Sequence, residues 1–485
     1  MQKVGNCEMD ESLRERFKAE VRAMRAWTYL GMTMTFGKVP LITEVLDYNS
    51  PNIPRDEVSV IRDFIMKELT EAAAILPEKY TGGYPNEKGR ITKYACLSLK
   101  ARAALYFGDY ALAETTAKEV MDKGGFSLFK ISSLSEAQKK EAEEMSLYID
   151  FEEKGIDKDE FIKGMFNYEA LWHTENANPD NPEYIMTRQY AASSWDYQDM
   201  TRYTSMRPNQ LGGWSSVTPT QNLVDAYWGV DGHSVPQLPT PEERAKAYNE
   251  IKADLDAYQK PEGEAKFIAF CQEKIKNGTL KDYKYIQEFR NRDSRMYVSI
   301  LMPFKSWYES NYGDKFVYEW IKNGNNESKT GFNFRKMLSL ENDANGDGQA
   351  TGDYPCIRYA EILLIYAEAH TQTTGYDAAT EAALNQLRDR CGMPDVPSGL
   401  SKEEGLKLIQ NERRIELAGE GFRGDDMTRY SDDYWKEHMN NVPIMTPDGD
   451  TELTMKWSSR MRLKPIPQTA IDLNPLLAGD QNPGY

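Results

Sequence analysis

Histidine is scarce in this chain, four in 485 residues, and that scarcity removes the commonest general acid–base side chain from most of the molecule. His173, His233, His370 and His438 stand apart, none inside an HExxH zinc motif, and neither a GxSxG nucleophile elbow nor a phosphate-cradling GxxxxGK[ST] loop occurs. Cysteine is equally sparse. Cys7, Cys96, Cys271, Cys356 and Cys391 are odd in number, widely spaced and without a CxxC pair for zinc or redox work, so buried free thiols are the expectation for most. The longest apolar stretches, such as EILLIYAEA, fall well short of the about 20 residues needed to cross a bilayer. The opening residues MQKVGNCEMDESLRERF carry no apolar core of a secretory signal. Positive charge is short too: 59 Lys and Arg stand against 76 Asp and Glu, a formal net charge of −17. That balance excludes a nucleic-acid backbone as main partner and disfavours strongly acidic ligands. Carboxylates abound, so composition leaves a glycosidase pair open, but nothing marks out two of them.

What is present is a foldable chain. Hydrophobic residues at 40% and aromatics at 11% suffice for a core, and the length suits one large unit or two to three smaller ones. Between Glu20 and Gly37 the positions Val21, Met24, Trp27, Tyr29, Leu30 and Met34 recur at helical spacing before the breakers of FGKVP. Residues 55–76 place Val58, Ile61, Ile65, Leu69, Ala72 and Leu76 on one helical face. The stretch from Lys93 to Gly125 reads as helix, Gly-Asp turn, helix, with small residues at Ala101, Ala103, Ala104, Ala111, Ala113 and Ala117 for close approach. The same order returns at 357–391, so tetratricopeptide-like pairs are split by a long insertion. Residues 401–418 form a further helix with Ser401 and Glu404 as its capping box. Between 165 and 350 the helical period weakens and Tyr, Trp, Pro, Gly and Asn become frequent, which marks a ligand-facing surface. The tail from Leu463, with PIP, NP and NPG, predicts an extended wrap around the body.

Seven segments carry a family resemblance, in order along the chain: EVRAMRAWTYLGMTMTFGKVPLI (20–42), GRITKYACLSLKARAALYFGDYALA (89–113), TPTQNLVDAYWGVDG (218–232), FRNRDSRMYVSI (289–300), IRYAEILLIYAEA (357–369), ERRIELAGEGFRGDDMTRY (412–430) and LKPIPQTAIDLNPLLAGDQNPGY (463–485). Together they resemble the SusD/RagB family. The resemblance implies a mostly α fold in which four tetratricopeptide-like helix pairs scaffold a loop-rich ligand region. On that pattern, residues 1–165 are an N-terminal helical part, 166–350 the ligand-binding region, and 351–485 the C-terminal helical pairs and tail. It further implies a lipid-anchored protein of the outer-membrane surface that binds glycan, does not cleave it, and delivers it to a SusC-like TonB-dependent transporter. The lipid-bearing cysteine and leading segment of that pattern are not found here, and Cys7, with no apolar run before it, is not the lipidated residue. A truncated or re-annotated start is the expectation.

Most of the matching motifs have a structural reading. Arg25, Arg102, Arg358 and Glu361, the NRDSR box and the ERRIEL stretch are expected to make intramolecular pairs. Arg423, Gly424 and Asp425 spell an adhesion tripeptide that is incidental inside its motif. Sugar recognition needs a flat apolar platform rimmed by amides, carboxylates or guanidinium groups. Trp195, Tyr197, Tyr203 and Trp214 supply the platform, close in sequence to Arg188, Gln189, Asp196, Arg202, Asn209 and Gln221, although each aromatic is equally eligible for the core. Trp228 leans towards core; Trp172 and Trp307 are undetermined. One cation motif stands out: Asp343, Asn345, Asp347, Gly348, Gln349 and Thr351 follow the first nine positions of an EF-hand loop, with Tyr354 where the bidentate Glu would be. A structural Ca²⁺ there would order the loop before the IRYAE helix; a plain turn is the alternative. No other cofactor is called for. Three functions stay open: glycan capture, a peptide- or protein-nutrient scaffold of the same uptake type, and a carbohydrate-active enzyme.

Overall fold

The protein, seen in a computed structural model, is described over residues 2–47, 52–81, 87–190, 213–308, 316–338 and 351–485. It is mostly helical. Helix α1 (Glu11–Phe36) starts earlier than the sequence period suggested, because the Asp10 carboxylate accepts from the N–H groups of Ser12 and Leu13 and caps it. Its inward face is Ala19, Ala23, Ala26 and Leu30, while Val21 and Met24, two of the apolar positions in the helical repeat, are 49% and 44% exposed. Size decided this: alanines let α2 (Val58–Ile75) approach, and α2 buries Ile61, Ile65, Leu69 and Ala72 as its spacing predicts. The pair α3 (Lys93–Tyr106) and α4 (Tyr110–Lys123) turns at Gly108, φ +76°, with Asp109 capping α4. Ala101, Ala103, Ala104, Ala113 and Ala117 are fully buried between these helices and their neighbours.

After α5 (Glu136–Glu144) and α6 (Lys158–Ala170) comes strand β1 (Tyr184–Arg188). The middle of the chain carries α7 (Gln221–Ala226), α8 (Pro241–Ala257), α9 (Lys266–Lys276) and α10 (Ser294–Ser299). Two minimal ribbons follow, β2 (Ile300–Leu301) with β5 (Asn333–Phe334) and β3 (Ser306–Trp307) with β4 (Phe316–Val317). This region is more regular than its composition suggested. It builds a core of its own in which Trp307, Tyr297 and Tyr318 are fully buried, while Trp172 is buried in a separate small cluster with Leu171, Ala177 and Tyr184. Trp228 is half-buried against that core.

Strand β6 (Tyr354–Arg358) pairs antiparallel with β1, Tyr184 opposite Arg358 and Arg188 opposite Tyr354. It runs directly into α11 (Tyr359–Thr373), which is buried on nearly every side, followed by α12 (Ala378–Cys391) and α13 (Lys402–Glu416). The first four helices and these three share one hydrophobic core, so the chain's two ends close on each other across the insertion. Ser401 and Glu404 form the expected reciprocal capping box. Ser401→Ala removes one arm of it and should cost about 1 kcal/mol, read as a lower urea midpoint at unchanged m-value.

The chain ends with α14 (Phe422–Arg429), α15 (Asp432–Met439), the hairpin β7 (Pro443–Met445) and β8 (Thr451–Thr454), and the tail. The tail is not the extended wrap expected: it carries a short helix at Gln468–Leu473 and a 3-10 helix at Pro475–Asp480, with Pro475 at its start, where no N–H is needed. It docks on the end of α1: Lys464 N–H donates to Thr35 O at 2.8 Å, Asn482 to Phe36 O at 2.9 Å, and Arg55 pairs with Asp480 at 2.9 Å. Among the described residues no helix is long and apolar enough to cross a membrane.

Candidate functional site

The arginine motifs converge inside the protein. Arg102 pairs with Glu361 at 2.6 Å and Arg25 with Glu68, so both make the intramolecular pairs expected of them. The NRDSR, IRYAE, ERRIEL and AGEGF segments meet in one buried lattice. Arg295, Lys336, Arg358, Arg388 and Arg390 face Glu183, Asp293, Glu412, Glu416 and Glu420, all with side chains at most 1% exposed. Five cations meet five carboxylates, so the lattice is neutral as a whole. Burial works against ionisation of Glu416, yet Arg390, Arg358 and Arg295 hold its carboxyl far below the usual range. Burial pulls the Lys336 ammonium down to about 8, opposed by Glu420. Lys336 also sits 4.8 Å above the Trp172 ring, which explains that tryptophan's core position.

This lattice fixes the floor of a surface cavity of about 570 Å³ between α7, α13 and α14. Phe334, Tyr354 and Phe422 supply aromatic surface, and Leu417, Met439 and Met455 supply aliphatic surface. The turn from α13 to α14 passes along it through Gly419 (φ +78°) and Gly421 (φ +88°); a Cβ on Gly419 would come within 3.2 Å of the Phe334 ring. Arg413, Arg414 and Arg423 add polar groups to the lining. Arg414 donates to Asn222 O at 2.9 Å, and Arg423 donates to the Tyr434 hydroxyl at 2.9 Å. Tyr434 in turn stacks on His438 with ring centroids 4.0 Å apart. The cavity volume and its mixture of apolar walls with a few polar groups suit a small oligomeric ligand.

A smaller cavity of about 200 Å³ lies between α7, the start of α8 and the β7–β8 hairpin, and Asn222 borders both spaces. Here Gln221 donates to Asp225 at 2.7 Å and to Glu288 at 2.9 Å, and Arg244 donates to the same Glu288 Oε1 at 2.7 Å. Glu288 Oε2 is buried without a hydrogen-bond partner, and burial lifts this carboxyl to about 7.

Of the residues singled out from sequence, Trp195, Asp196, Tyr197, Arg202, Tyr203 and Asn209 lie outside the described residues, as do Asp343, Asn345, Asp347, Gly348 and Gln349. Their flanks are described. Arg188 is exposed at the end of β1, 5.1 Å above the Tyr190 ring, opposite the Tyr354 that lines the cavity. Trp214 is 40% exposed, three residues before the cavity-lining Val217. Thr351 is half-buried just ahead of Asp353, whose carboxylate accepts from Tyr190 N–H at 3.2 Å and Thr187 at 3.3 Å. Tyr190 and Asp353, which belong to the described flanks, therefore meet at one end of the β1–β6 ribbon. Gln221 faces the smaller cavity. The Arg423-Gly424-Asp425 tripeptide is the first turn of α14, with Arg423 engaged by Tyr434, so it is not presented as an adhesion loop.

Sequence reasoning missed Arg413, Arg414 and Arg423 as cavity residues. A signal existed in α13: Leu408, Ile409, Glu412, Ile415 and Glu416 define its buried face, which leaves Arg414 on the flank.

The profile of the SusD family matches residues 182–485. SusD-like protein P38 of Formosa agariphila is 23% identical over 440 residues, covering 85% of this chain and 66% of the relative, so the chain spans just under two thirds of that relative's length. A SusD-like protein of Bacteroides fragilis NCTC 9343 superposes with a TM-score of 0.72 at 25% identity, covering 99% of this chain and 82% of the other. A SusD-like carbohydrate-binding protein of the same strain superposes with a TM-score of 0.65 at 22% identity, covering 97% and 81%.

Proposed function

The chain belongs to the SusD family, and from that premise we propose that it captures an oligosaccharide or polysaccharide at the bacterial outer-membrane surface and passes it to a SusC-like TonB-dependent transporter. It binds and does not cleave, and a lipid anchor holds it at the membrane. The observation that carries the reading is the cavity of about 570 Å³ with aromatic surface from Phe334, Tyr354 and Phe422, where Tyr354 pairs with Arg188 across the β1–β6 ribbon. Pyranose C–H faces stack on such surfaces while amides and guanidinium groups take the hydroxyls. A structural neighbour described as carbohydrate-binding supports the same ligand class.

Affinity gels cast with a panel of plant, host and microbial polysaccharides test it. Retardation by at least one, weakened severalfold by Trp214→Ala at unchanged melting temperature, is the expected result. Exposed stacking yields only modest net free energy after ordering costs, so binding of a single chain should be weak to moderate. Absence of retardation across the panel would transfer the function to peptide or protein nutrients. Hydrolysis of any polysaccharide by the pure protein would overturn the non-catalytic reading. A chelator in the same gels tests the Ca²⁺ expectation at Asp343, Asn345, Asp347, Gln349 and Thr351: weaker retardation sustains it, and unchanged retardation discards it.

A further inference from the structure

Burial normally obliges an arginine to find a carboxylate, and most buried arginines here comply. Arg295, Arg335, Arg358, Arg388, Arg390 and Arg429 each hold one or more. Two half-buried arginines at the large cavity are held differently. Arg414 and Arg423 both line it, and neither makes an ion pair among the described residues. Arg414 donates to the backbone and side-chain oxygens of Asn222, and Arg423 to a phenol. Arg413 lines the same space with a side chain only 4% exposed; Asp426 accepts from its Nε, but among the described residues its Nη1 has no hydrogen-bond partner.

Of the carboxylates near this cluster, Asp425 lies on the same turn as Arg423, where burial and the charge of Asp426 raise its carboxyl against the pull of Arg102 and Arg413, and the others already hold partners. Glu420 accepts from Arg358 and Lys336, and Asp426 serves both Arg413 and Arg429. Asp225, on the far side of α7, is bound by Gln221. Neighbouring groups register the surplus. Burial, then the positive charge of Arg423, pulls the Arg414 guanidinium down to about 10. Burial lowers the His438 imidazole, and the charges of Arg414 and Arg423 push it the same way. A net charge of −17 belongs to the whole surface, whereas over a Debye length of about 8 Å the near charges govern.

We infer that this cavity recognises the anionic substituent of an acidic glycan, a uronate carboxylate or a sulfate ester, with Arg413, Arg414 and Arg423 as its donors and the aromatic surface beside them receiving the sugar ring. Guanidinium groups suit this because their planar forks match carboxylate and sulfate oxygens two at a time. The inference rests on the glycan reading above and narrows it, reversing for this one site the expectation drawn from overall charge.

The test uses affinity gels of the full chain with dextran, dextran sulfate and polygalacturonate, at low and high salt. The expected result is retardation by one or both polyanions, weakening as salt rises, and none by dextran. Arg414→Gln with Arg423→Gln should weaken it about tenfold or more, the scale of lost charged hydrogen bonds. Preference between the two polyanions separates carboxylate from sulfate recognition. Lys407→Gln, exposed on α13 and paired only with Glu403, removes a charge elsewhere and should leave retardation unchanged. Should the double variant melt early, Arg423→Gln alone carries the test, because this residue is half-buried and its one hydrogen bond among the described residues is to Tyr434. Retention of both polyanions at wild-type strength by the variants overturns the assignment. If only neutral members of the wider panel bind, the anionic inference falls while glycan capture stands; if no polysaccharide binds, both fall.

Discussion

Arg358→Ala should destabilise the protein by about 3–5 kcal/mol, a third or more of the stability an ordinary domain possesses. Arg358 is 1% exposed and donates to three carboxylates, Glu183 at 2.8 Å, Glu416 at 2.8 Å and Glu420 at 2.6 Å, and to the backbone oxygen of Glu416. Truncation leaves five buried carboxylates facing four cations. The penalty is the stranded charge more than the lost attraction. Arg358→Lys should fall between, since one ammonium cannot reach all three carboxylates from a single stem. Combining Arg358→Met with Glu420→Gln should recover part of the loss by restoring neutrality. Urea unfolding of the four proteins decides it, and a cost below about 1 kcal/mol for Arg358→Ala would mean that the lattice does not stabilise the fold. Glu420 lies on the cavity wall and Arg358 anchors it, so the alanine variant should also lose ligand retardation under conditions where it remains folded.

The same lattice shows what was legible in the sequence. The motif charges could be assigned to internal pairs from their positions on amphipathic helices, and they are internal. Their partners could not be named, because Glu183 and Arg358 are 175 residues apart and meet only when the insertion folds back. Helix pairs were legible where alanine spacing is regular, as in α3 and α4. The buried face of α1 could not be read from its apolar repeat, since Val21 and Met24 are exposed while close packing against α2 selects Ala19 and Ala23. Helix α8 was hidden by the surrounding Pro, Tyr and Gly, although Thr240, Pro241 and Glu243 spell its capping box in the sequence. The cavity was the least legible feature. Its wall is assembled from short pieces near Val217, Phe334, Tyr354, Arg414, Met439 and Met455, and no periodicity links them.

A second large effect concerns pH. Glu288, with a side chain 2% exposed, has its carboxyl raised from the ordinary 4.5 to about 7: burial raises it, Arg244 pulls back without prevailing, and Asp225 adds repulsion. Because the folded pKa exceeds the unfolded one, protonation of Glu288 contributes stability that is fully present below about pH 4.5 and is lost as pH rises through about 7. The shift corresponds to about 3 kcal/mol at about 1.4 kcal/mol per unit. Other carboxylates oppose this trend, since Glu416 and Glu420 are held low by their cations and destabilise the fold when protonated in acid. The whole-protein profile therefore mixes both signs, and a difference measurement isolates the one residue. Glu288→Gln keeps an acceptor for Arg244 and Gln221 while imitating the protonated carboxyl. Relative to the parent it should be near neutral in acid and gain up to about 3 kcal/mol by pH 8, with the rise falling between about pH 4.5 and 7. Parallel stability curves for the two proteins, from urea unfolding across that range, would show that the buried carboxyl titrates normally and that Arg244 compensates its burial in full.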